Sequence, residues 1–153
     1  PVILRPGGIT AEQLRKFLPE VKVHAVARAE KKASIAKSPG TKYRHYAPKA
    51  KLVLVEGPKE KAVAKALELA ERHSKTKKVA LLILGSKRNV GGKGIIVKAV
   101  QKKRDIGKRL FALLRELDAK GAEIIFANAI DEKGLGLAIM NRLRRASSKR
   151  IKV

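Results

Sequence analysis

The sequence predicts an α/β fold in which helices cover both faces of a mostly parallel sheet. From residue 51 onward, runs of aliphatic residues alternate with segments of helical periodicity. Continuous apolar strands are typical of parallel sheets, because both faces of each strand are buried. Alternation of strands with helices favours the same arrangement. We therefore predict a small Rossmann-like three-layer domain over residues 51–153, preceded by an extended linker.

Each element of this domain has its own local pattern. The expected strands are the aliphatic runs at residues 52–55, 79–84, 95–100 and 123–127. Helices are expected from Pro58 to His73, from Asp105 to Asp118 and from Gly134 or Leu135 to Arg145, before a polar basic tail. Pro58 suits the first turn of its helix, where its missing N–H costs nothing. Because the third strand follows the second without a helix, we expect one local antiparallel or edge pairing.

The first fifty residues show weaker periodicity. Thr10 and Gln13 have the spacing of a capping box, which predicts a short helix that ends near Pro19. Val21, Val23 and Val26 suggest a brief extended stretch. Residues 27–50 have no useful period, so we interpret them as linker.

Composition limits the classes of function. The net charge is +24, which predicts attraction to polyanions such as nucleic acids, nucleotides or an anionic membrane surface. The chain has three Phe, two Tyr and no Trp, so the core must be aliphatic. It has no cysteine, which excludes disulfides and thiolate metal sites. No apolar run approaches the ~20 residues of a membrane span, and we expect a cytoplasmic location.

The most informative segment is SPGTKYRHYAP at residues 38–48, called the strap below. Proline restricts φ and glycine permits positive φ, so this segment is expected to be shaped and non-helical. Lys42 and Arg44 are suited to phosphate, and Tyr43 offers a ring for stacking. The same residues also suit a basic interdomain linker whose tyrosines pack against a neighbouring domain. Physical reasoning alone leaves both interpretations open.

Two glycine-containing loops resemble nucleotide-binding motifs only superficially. Residues 85–94 follow a strand, yet no Ser or Thr follows Lys93 and a strand comes next, so this is not a Walker A loop. Gly134 and Gly136 have no third glycine of the dinucleotide-binding motif, which favours a tightly packed helix start. The three histidines are too scattered to predict a metal site, and His24 is expected to be extended and partly buried.

Two groups of basic residues have two interpretations. The groups are Lys87/Arg88/Lys93 and Lys102/Lys103/Arg104/Lys108/Arg109. The simpler interpretation is a solvated surface. The alternative is an RNA-facing stripe that contacts phosphates, because no aromatic side chains interleave with the cations to stack bases.

The strap resembles the linker of two-domain threonylcarbamoyl-AMP synthases, which reads S-P-G-M-K-Y-R/K-H-Y-A-P. Thr41 departs from that pattern, because the family has methionine there. Residues 3–10 resemble the end of the family's YrdC-like catalytic domain. Residues 109–118 and 134–146 resemble the last two helices of the family's C-terminal domain. This resemblance implies a division into 1–20 as the tail of the catalytic domain, 21–50 as the linker and 51–153 as the C-terminal domain.

The resemblance further implies that the parent protein is a nucleotidyltransferase. It would make threonylcarbamoyl-AMP from L-threonine, bicarbonate and ATP, together with Mg²⁺, for threonylcarbamoyladenosine in tRNA. Matched positions imply that Arg5 and Tyr43 bind ATP, with Lys42, Arg44 and His45 in the same cleft. No catalytic residue and no metal ligand is assigned, and the chain alone is expected to be inactive. It begins at Pro1, so we interpret it as a C-terminal portion whose partner is its own YrdC-like domain. The alternative is a non-catalytic basic module that binds RNA or a ribonucleoprotein.

Overall fold

The computed structural model describes residues 1–30 and 47–153. The strands there are β1 (Val2–Ile3), β2 (Lys22–Val23), β3 (Lys51–Glu56), β4 (Val79–Leu84), β5 (Ile95–Val100), β6 (Ile124–Asn128) and β7 (Lys149–Lys152). The helices there are α1 (Ala11–Arg15), α2 (Ala25–Arg28), α3 (Lys59–Ser74), α4 (Lys103–Ala119) and α5 (Gly136–Ala146). These elements confirm the α/β fold class.

Five strands form one sheet in the order β5-β4-β6-β3-β7, and every pair in it is parallel. β1 and β2 form a separate parallel pair. Helix α3 packs on one face of the large sheet, against β3, β4 and β6. Helices α4 and α5 cover the other face. The result is the three-layer arrangement that the aliphatic strands predicted.

The two faces of the sheet have different cores. On the α3 face, Ala62, Ala66 and Ala70 are buried against Val55, Ile83 and Phe126. Alanines along one stripe of the helix let its backbone approach the sheet closely. The α4 and α5 face is lined instead by larger leucines and isoleucines of the helices. As expected from the composition, aliphatic side chains dominate both cores.

The expected antiparallel pairing of the third strand is wrong. β5 runs parallel to β4, with Val79 opposite Ile95 and Leu84 opposite Val100, although the expectation of an edge position is correct. Residues 85–94 lead the chain from the end of β4 back to the edge of the sheet where β4 begins, and they contain no helix. Val90 in this connection packs on the α3 face, so the loop covers part of the sheet as a crossover helix would.

Two further expectations need correction. The basic tail after α5 contains strand β7, which pairs with β3 from Val53–Lys149 to Glu56–Lys152. Val26 lies in helix α2, so the extended stretch is shorter than expected. The capping box is confirmed, because the Gln13 N–H donates to Thr10 Oγ1 at 3.2 Å and the Thr10 N–H donates to Gln13 Oε1 at 2.8 Å.

Helix α2 docks on α5 and joins the N-terminal residues to the sheet domain. Ala27 is fully buried in this contact. Ala29 ends α2 in the left-handed conformation, with φ at 51°. Residues classed as linker from the sequence therefore pack against the domain as far as Glu30.

Candidate functional site

The carboxyl ends of four parallel strands surround a crevice. β3 and β4 continue into α3 and residues 85–94 on one face, whereas β5 and β6 continue toward α4 and α5 on the other. Where neighbouring connections leave on opposite faces, an open α/β sheet forms a ligand-sized gap. Here the cavity measures about 390 Å³ and is lined by Gly57–Lys59, Gly85, Gln101, Lys103 and Ala129–Asp131.

Two lysines line the crevice, each the first residue of a helix: Lys59 of α3 and Lys103 of α4. Lys59 Nζ donates to the Gly85 carbonyl oxygen. Lys103 Nζ donates to Asp131 Oδ1 at 2.6 Å and to the Lys133 carbonyl oxygen at 2.8 Å. The hydrogen bond from Lys103 is the main cause that lowers the pKa of the Asp131 carboxyl, so Asp131 is ionised at neutral pH.

The loop after β6 is packed tightly against the start of α5. A Cβ atom at Gly136 would lie 1.9 Å from the Asp131 carbonyl oxygen. This contact confirms the interpretation of Gly136 as a closely packed helix start. Gly134 has φ at 58°, a conformation that glycine adopts without strain. The two glycines therefore shape the loop that carries Asp131.

A second polar centre holds the end of α2. Its donors, called the carbonyl clamp below, are Asn141, Arg144, Arg145 and Arg150. Asn141 Nδ2 donates to the Ala27 carbonyl oxygen at 2.7 Å, and Arg144 Nη1 donates to that of Arg28 at 2.7 Å. Arg150 Nη1 reaches the carbonyl oxygen of Ala29 at 2.9 Å. The last carbonyls of a helix have no partner within it, so the clamp satisfies them.

Two carboxylates balance the clamp. Glu56 Oε1 accepts from Arg144 Nε at 2.6 Å, and Glu56 Oε2 accepts from Arg150 Nη2 at 3.1 Å. Glu132 Oε1 accepts from Arg144 Nη1 at 2.5 Å. Burial raises the pKa of the Glu56 carboxyl, but the hydrogen bonds and charges of the two arginines outweigh it and lower the pKa. The clamp was missed from the sequence, because Asn141, Arg144 and Arg145 lie in the expected last helix and Arg150 in the expected basic tail, and no spacing links them.

Arg5 is exposed and follows β1. Burial is the main cause that lowers the pKa of Arg145, and the positive charge of Arg5 lowers it further. The positive charges of Arg5 and Arg145 therefore repel each other. Two neighbouring guanidinium groups create a positive potential that favours an anion. Arg145 was not a candidate site residue from the sequence, and its interaction with Arg5 is seen only in the structure.

The chain is also anchored on the far side of residues 31–46. The backbone N–H groups of Lys49 and Ala50 donate to the Asp118 carboxylate at 2.9 and 3.0 Å. Lys42, Tyr43, Arg44 and His45 lie outside the described residues. Arg5 is therefore the one predicted ATP-site residue that the described ranges include.

The remaining candidate residues have structural partners. His24 Nδ1 accepts from the Val26 N–H at 3.1 Å and caps α2, and its extended, half-buried position is confirmed. His73 Nδ1 lies 2.9 Å from the Leu69 carbonyl oxygen. Within residues 1–30 and 47–153 no group of His, Asp and Glu has the arrangement of a metal site.

The basic group on α4 divides into two parts. Lys103 turns to the crevice, whereas Lys102, Arg104, Lys108 and Arg109 are exposed. Leu110, Leu113 and Leu117 bury the opposite side of the helix. No helix in the described part of the chain has both the length and the apolar run needed to cross a bilayer.

The parallel sheet, its crevice and the docked linker define a Rossmann-like α/β domain with an anchored N-terminal extension. A family model described as "Threonylcarbamoyl-AMP synthase, C-terminal domain" matches residues 9–148. The chain belongs to this family of threonylcarbamoyl-AMP synthase C-terminal domains.

Similar curated proteins come from distant organisms. Threonylcarbamoyl-AMP synthase of Pyrococcus abyssi is 43% identical over 99% of this chain and 43% of its own length. The Schizosaccharomyces pombe protein of the same name is 34% identical over 97% of this chain and 39% of its own length. The Bacillus subtilis protein of the same name is 32% identical over 99% of this chain and 43% of its own length. The chain thus spans less than half the length of the curated relatives that it matches.

Solved structures agree with this assignment. A crystal structure of P. abyssi Sua5 with L-threonine matches with a TM-score of 0.81 and 41% identity, over 100% of this chain and 44% of that one. A crystal structure of the C-terminal Sua5 domain of a hypothetical Sua5 protein from Pyrococcus horikoshii has a TM-score of 0.54 and 34% identity. That match covers 70% of this chain and 100% of the other.

Proposed function

We propose that this chain is the C-terminal part of an enzyme that makes threonylcarbamoyl-AMP for threonylcarbamoyladenosine in tRNA. The observation that carries the proposal is the similarity to threonylcarbamoyl-AMP synthases along nearly the whole chain. The L-threonine bound to P. abyssi Sua5 agrees with threonine as a substrate of the parent protein. The proposed setting of the reaction is the cytoplasm.

The proposed reaction is a transfer of an adenylyl group. The amine of L-threonine and bicarbonate condense to a carbamate with loss of water. A carbamate oxygen then attacks the α-phosphorus of ATP. As that P–O bond forms, the bond to pyrophosphate breaks, which gives threonylcarbamoyl-AMP and pyrophosphate. Mg²⁺ bound to ATP would offset the negative charge of the phosphates.

In this proposal the strap and Arg5 hold the nucleotide. The guanidinium of Arg5 contacts a phosphate, and the Tyr43 ring packs against the base or ribose. Lys42, Arg44 and His45 face the same cleft. Support comes from the exposure of Arg5 and from its electrostatic interaction with the positively charged Arg145. The anchors at Ala27–Glu30 and at Lys49–Ala50 fix the chain on both sides of the strap.

We also propose that the boundary between linker and C-terminal domain lies near residue 51. The P. horikoshii domain supports it, because 70% of this chain covers that whole domain. Residues 1–20 then belong to the catalytic domain and 21–50 to the linker. Because α2 docks on α5, the first part of this linker is held against the C-terminal domain.

The test is ATP binding by a full-length protein that contains this chain. A charge-assisted contact from Arg5 is worth about 1.5–3 kcal/mol, so Arg5→Ala is expected to weaken ATP binding about ten- to a hundredfold. Tyr43→Ala is expected to act similarly, and Tyr43→Phe separates the ring from its hydroxyl. Calorimetric titration with ATP measures each affinity.

Arg115→Ala is the matched control, because Arg115 is an exposed arginine on α4. If either Arg5→Ala or Tyr43→Ala binds ATP like the wild type, that residue's role is wrong. A melting temperature several degrees lower in Tyr43→Ala would instead identify the strap as an interdomain staple. The 153-residue chain alone is expected to release no pyrophosphate from ATP, threonine and bicarbonate.

A second candidate function is binding of RNA or a ribonucleoprotein. The net charge of +24 and the exposed cations on α4 favour it. A contact to RNA phosphates alone is compatible with two roles: binding of the tRNA that the proposed enzyme's product modifies, or binding of RNA without any enzymatic function. The salt dependence of RNA binding tests this second function.

A further inference from the structure

The crevice at the carboxyl edge of the sheet has no role in the proposed adenylyl transfer. Its lining comes from the four segments that directly follow β3, β4, β5 and β6, including the first residues of α3 and α4. Arg5 is not among its lining residues, and neither is any other described residue before Gly57. A cavity of about 390 Å³ falls in the ordinary range of small-ligand sites, roughly 300–1,000 Å³. Its volume suits a ligand about the size of a mononucleotide.

The side chains in the crevice favour an anionic ligand. An ammonium group carries three N–H donors, and among the described residues Lys59 Nζ donates to the Gly85 carbonyl oxygen. Its other donors are therefore available to a ligand. Lys103 also lines the crevice, and its ammonium group, which donates to Asp131 and to the Lys133 carbonyl oxygen, has a third N–H donor for a ligand. The lysines thus provide a contact point for a phosphate group.

Asp131 adds a second kind of contact. Its Oδ1 accepts from both Lys103 Nζ and the Lys133 N–H, at 2.6 and 3.0 Å. Within the described part of the chain this leaves Oδ2 to accept from a ligand hydroxyl. Asp131 is ionised, so it acts as an acceptor alone. A ligand with both phosphate and hydroxyl groups matches this pair of contacts.

Glycine keeps the space between these groups open. A Cβ atom at Gly85 would point at Ile130 Cγ2, 3.5 Å away, and at Lys59 Nζ, 3.8 Å away. The absence of that atom lets Lys59 and Ile130 border one continuous cavity. Pro58 and Ile130 add apolar surface beside the charged groups.

We propose that this crevice binds a phosphorylated small molecule with free hydroxyl groups, of about mononucleotide size. Its phosphate contacts Lys59 and Lys103, and a hydroxyl donates to Asp131. The site is separate from the ATP site proposed for Arg5 and the strap. It would allow a phosphorylated metabolite to bind the C-terminal domain itself.

Calorimetric titration of the 153-residue chain with AMP, pyrophosphate and inorganic phosphate tests the proposal. We expect saturable 1:1 binding of AMP, at least tenfold tighter than inorganic phosphate because AMP also supplies hydroxyls. Lys59→Gln and Lys103→Gln are each expected to weaken AMP binding about tenfold. Lys59 is the cleaner position, because Lys103 also holds the loop at Asp131 and Lys133.

Lys98→Gln is the matched control. Lys98 Nζ pairs with Glu116 at 2.6 Å and its side chain is 31% exposed, against 2.6 Å and 30% for Lys103. An equal loss of affinity in Lys98→Gln would show general attraction to the basic chain and overturn the proposal. Absence of saturable binding, equal affinity for AMP and phosphate, or normal AMP binding by Lys59→Gln would also overturn it. That last result would place AMP outside the crevice.

Discussion

Glu56 shows how one buried carboxylate can organise several parts of the chain. It ends β3, and only 8% of the residue is exposed. Its two oxygens accept from Arg144 of α5 and Arg150 of β7, which also hold the carbonyls of Arg28 and Ala29. A buried charge is expensive when a partner is removed, because the remaining charge stays desolvated. Glu56 is therefore expected to matter more for stability than any ion pair on the surface.

Glu56→Gln is predicted to destabilise the domain. The change leaves Arg144 and Arg150 without a buried carboxylate between them, at a cost of about 3 kcal/mol. For a chain of this size that corresponds to a melting temperature roughly 6–12 °C lower. Chemical denaturation and thermal melts measure both quantities. Glu68→Gln is the control, because Glu68 pairs with Lys65 and Arg72 on the open surface of α3, and it should melt nearly like the wild type.

The pKa of Glu56 also predicts how stability depends on pH. Its folded-state pKa lies below the unfolded value of 4.5, so the carboxyl binds protons more weakly in the folded protein. The stabilisation of the folded state by ionised Glu56 is therefore present above pH 4.5 and is lost as the pH falls through the folded-state pKa. The melting temperature of the wild type should fall more steeply below pH 4.5 than that of Glu56→Gln. Parallel curves for the two proteins would contradict this assignment.

At the scale of elements, two glycines in helices of the same face are predicted to have opposite effects. At Gly136 a Cβ atom would lie 1.9 Å from the Asp131 carbonyl oxygen, so Gly136→Ala must displace the loop after β6. We expect the free energy of unfolding to fall by about 1–3 kcal/mol. At Gly107, inside α4, the nearest atom is Ile139 Cγ1 at 3.9 Å. Gly107→Ala should therefore stabilise the protein by about 0.5–1 kcal/mol.

Denaturant titration of the two alanine variants checks this prediction. Each variant serves as the control of the other, because both add the same methyl group to a helix beside the same core. Destabilisation by Gly107→Ala would mean that α4 and α5 lie closer together than the structure has them. A neutral Gly136→Ala would mean that the loop carrying Asp131 moves freely.

The elements with strong local patterns were predictable from the sequence. Strands β4 and β5 have the bounds expected from their aliphatic runs, at 79–84 and 95–100. β7 was missed because Ile151 is the one apolar residue in Lys149–Lys152, and an edge strand needs no continuous apolar run. The parallel pairing of β5 was missed because a parallel crossover ordinarily takes a dozen or more residues. Residues 85–94 make the return with fewer.

The candidate site was predictable only in part. A motif of adjacent residues such as the strap can be recognised from its spacing. The carbonyl clamp cannot, because its acceptors are backbone oxygens of residues 26–30 and its donors lie more than a hundred residues away. The crevice likewise depends on strand order, which places the ends of β3, β4, β5 and β6 side by side and so puts Lys59 and Lys103 on the lining of one cavity.

For the whole molecule, charge and shape lead to different conclusions about partners. The crevice and the strap are local arrangements, whereas the charge of +24 belongs to the entire chain. Exposed cations occur on α4, at Arg104, Lys108 and Arg109, and also after α3, at Lys75, Lys77 and Lys78. A polyanion therefore meets positive potential on more than one side. We expect such binding to depend on phosphate charge and not on base sequence.

RNA binding is accordingly predicted to be nonspecific and steeply dependent on salt. Each neutralised phosphate of a single strand contributes about −0.7 to the slope of log K against log salt, and about −0.9 for a duplex. Filter binding over a salt series, with two RNAs of equal length and unrelated sequence, measures slope and preference together.

Replacing Arg104, Lys108 and Arg109 with Gln should reduce the slope about as much as replacing Lys75, Lys77 and Lys78. A much larger effect of the α4 variant would instead identify a defined RNA-facing stripe on that helix. Tight binding that persists at high salt, or strong preference for one RNA, would contradict a purely electrostatic contact.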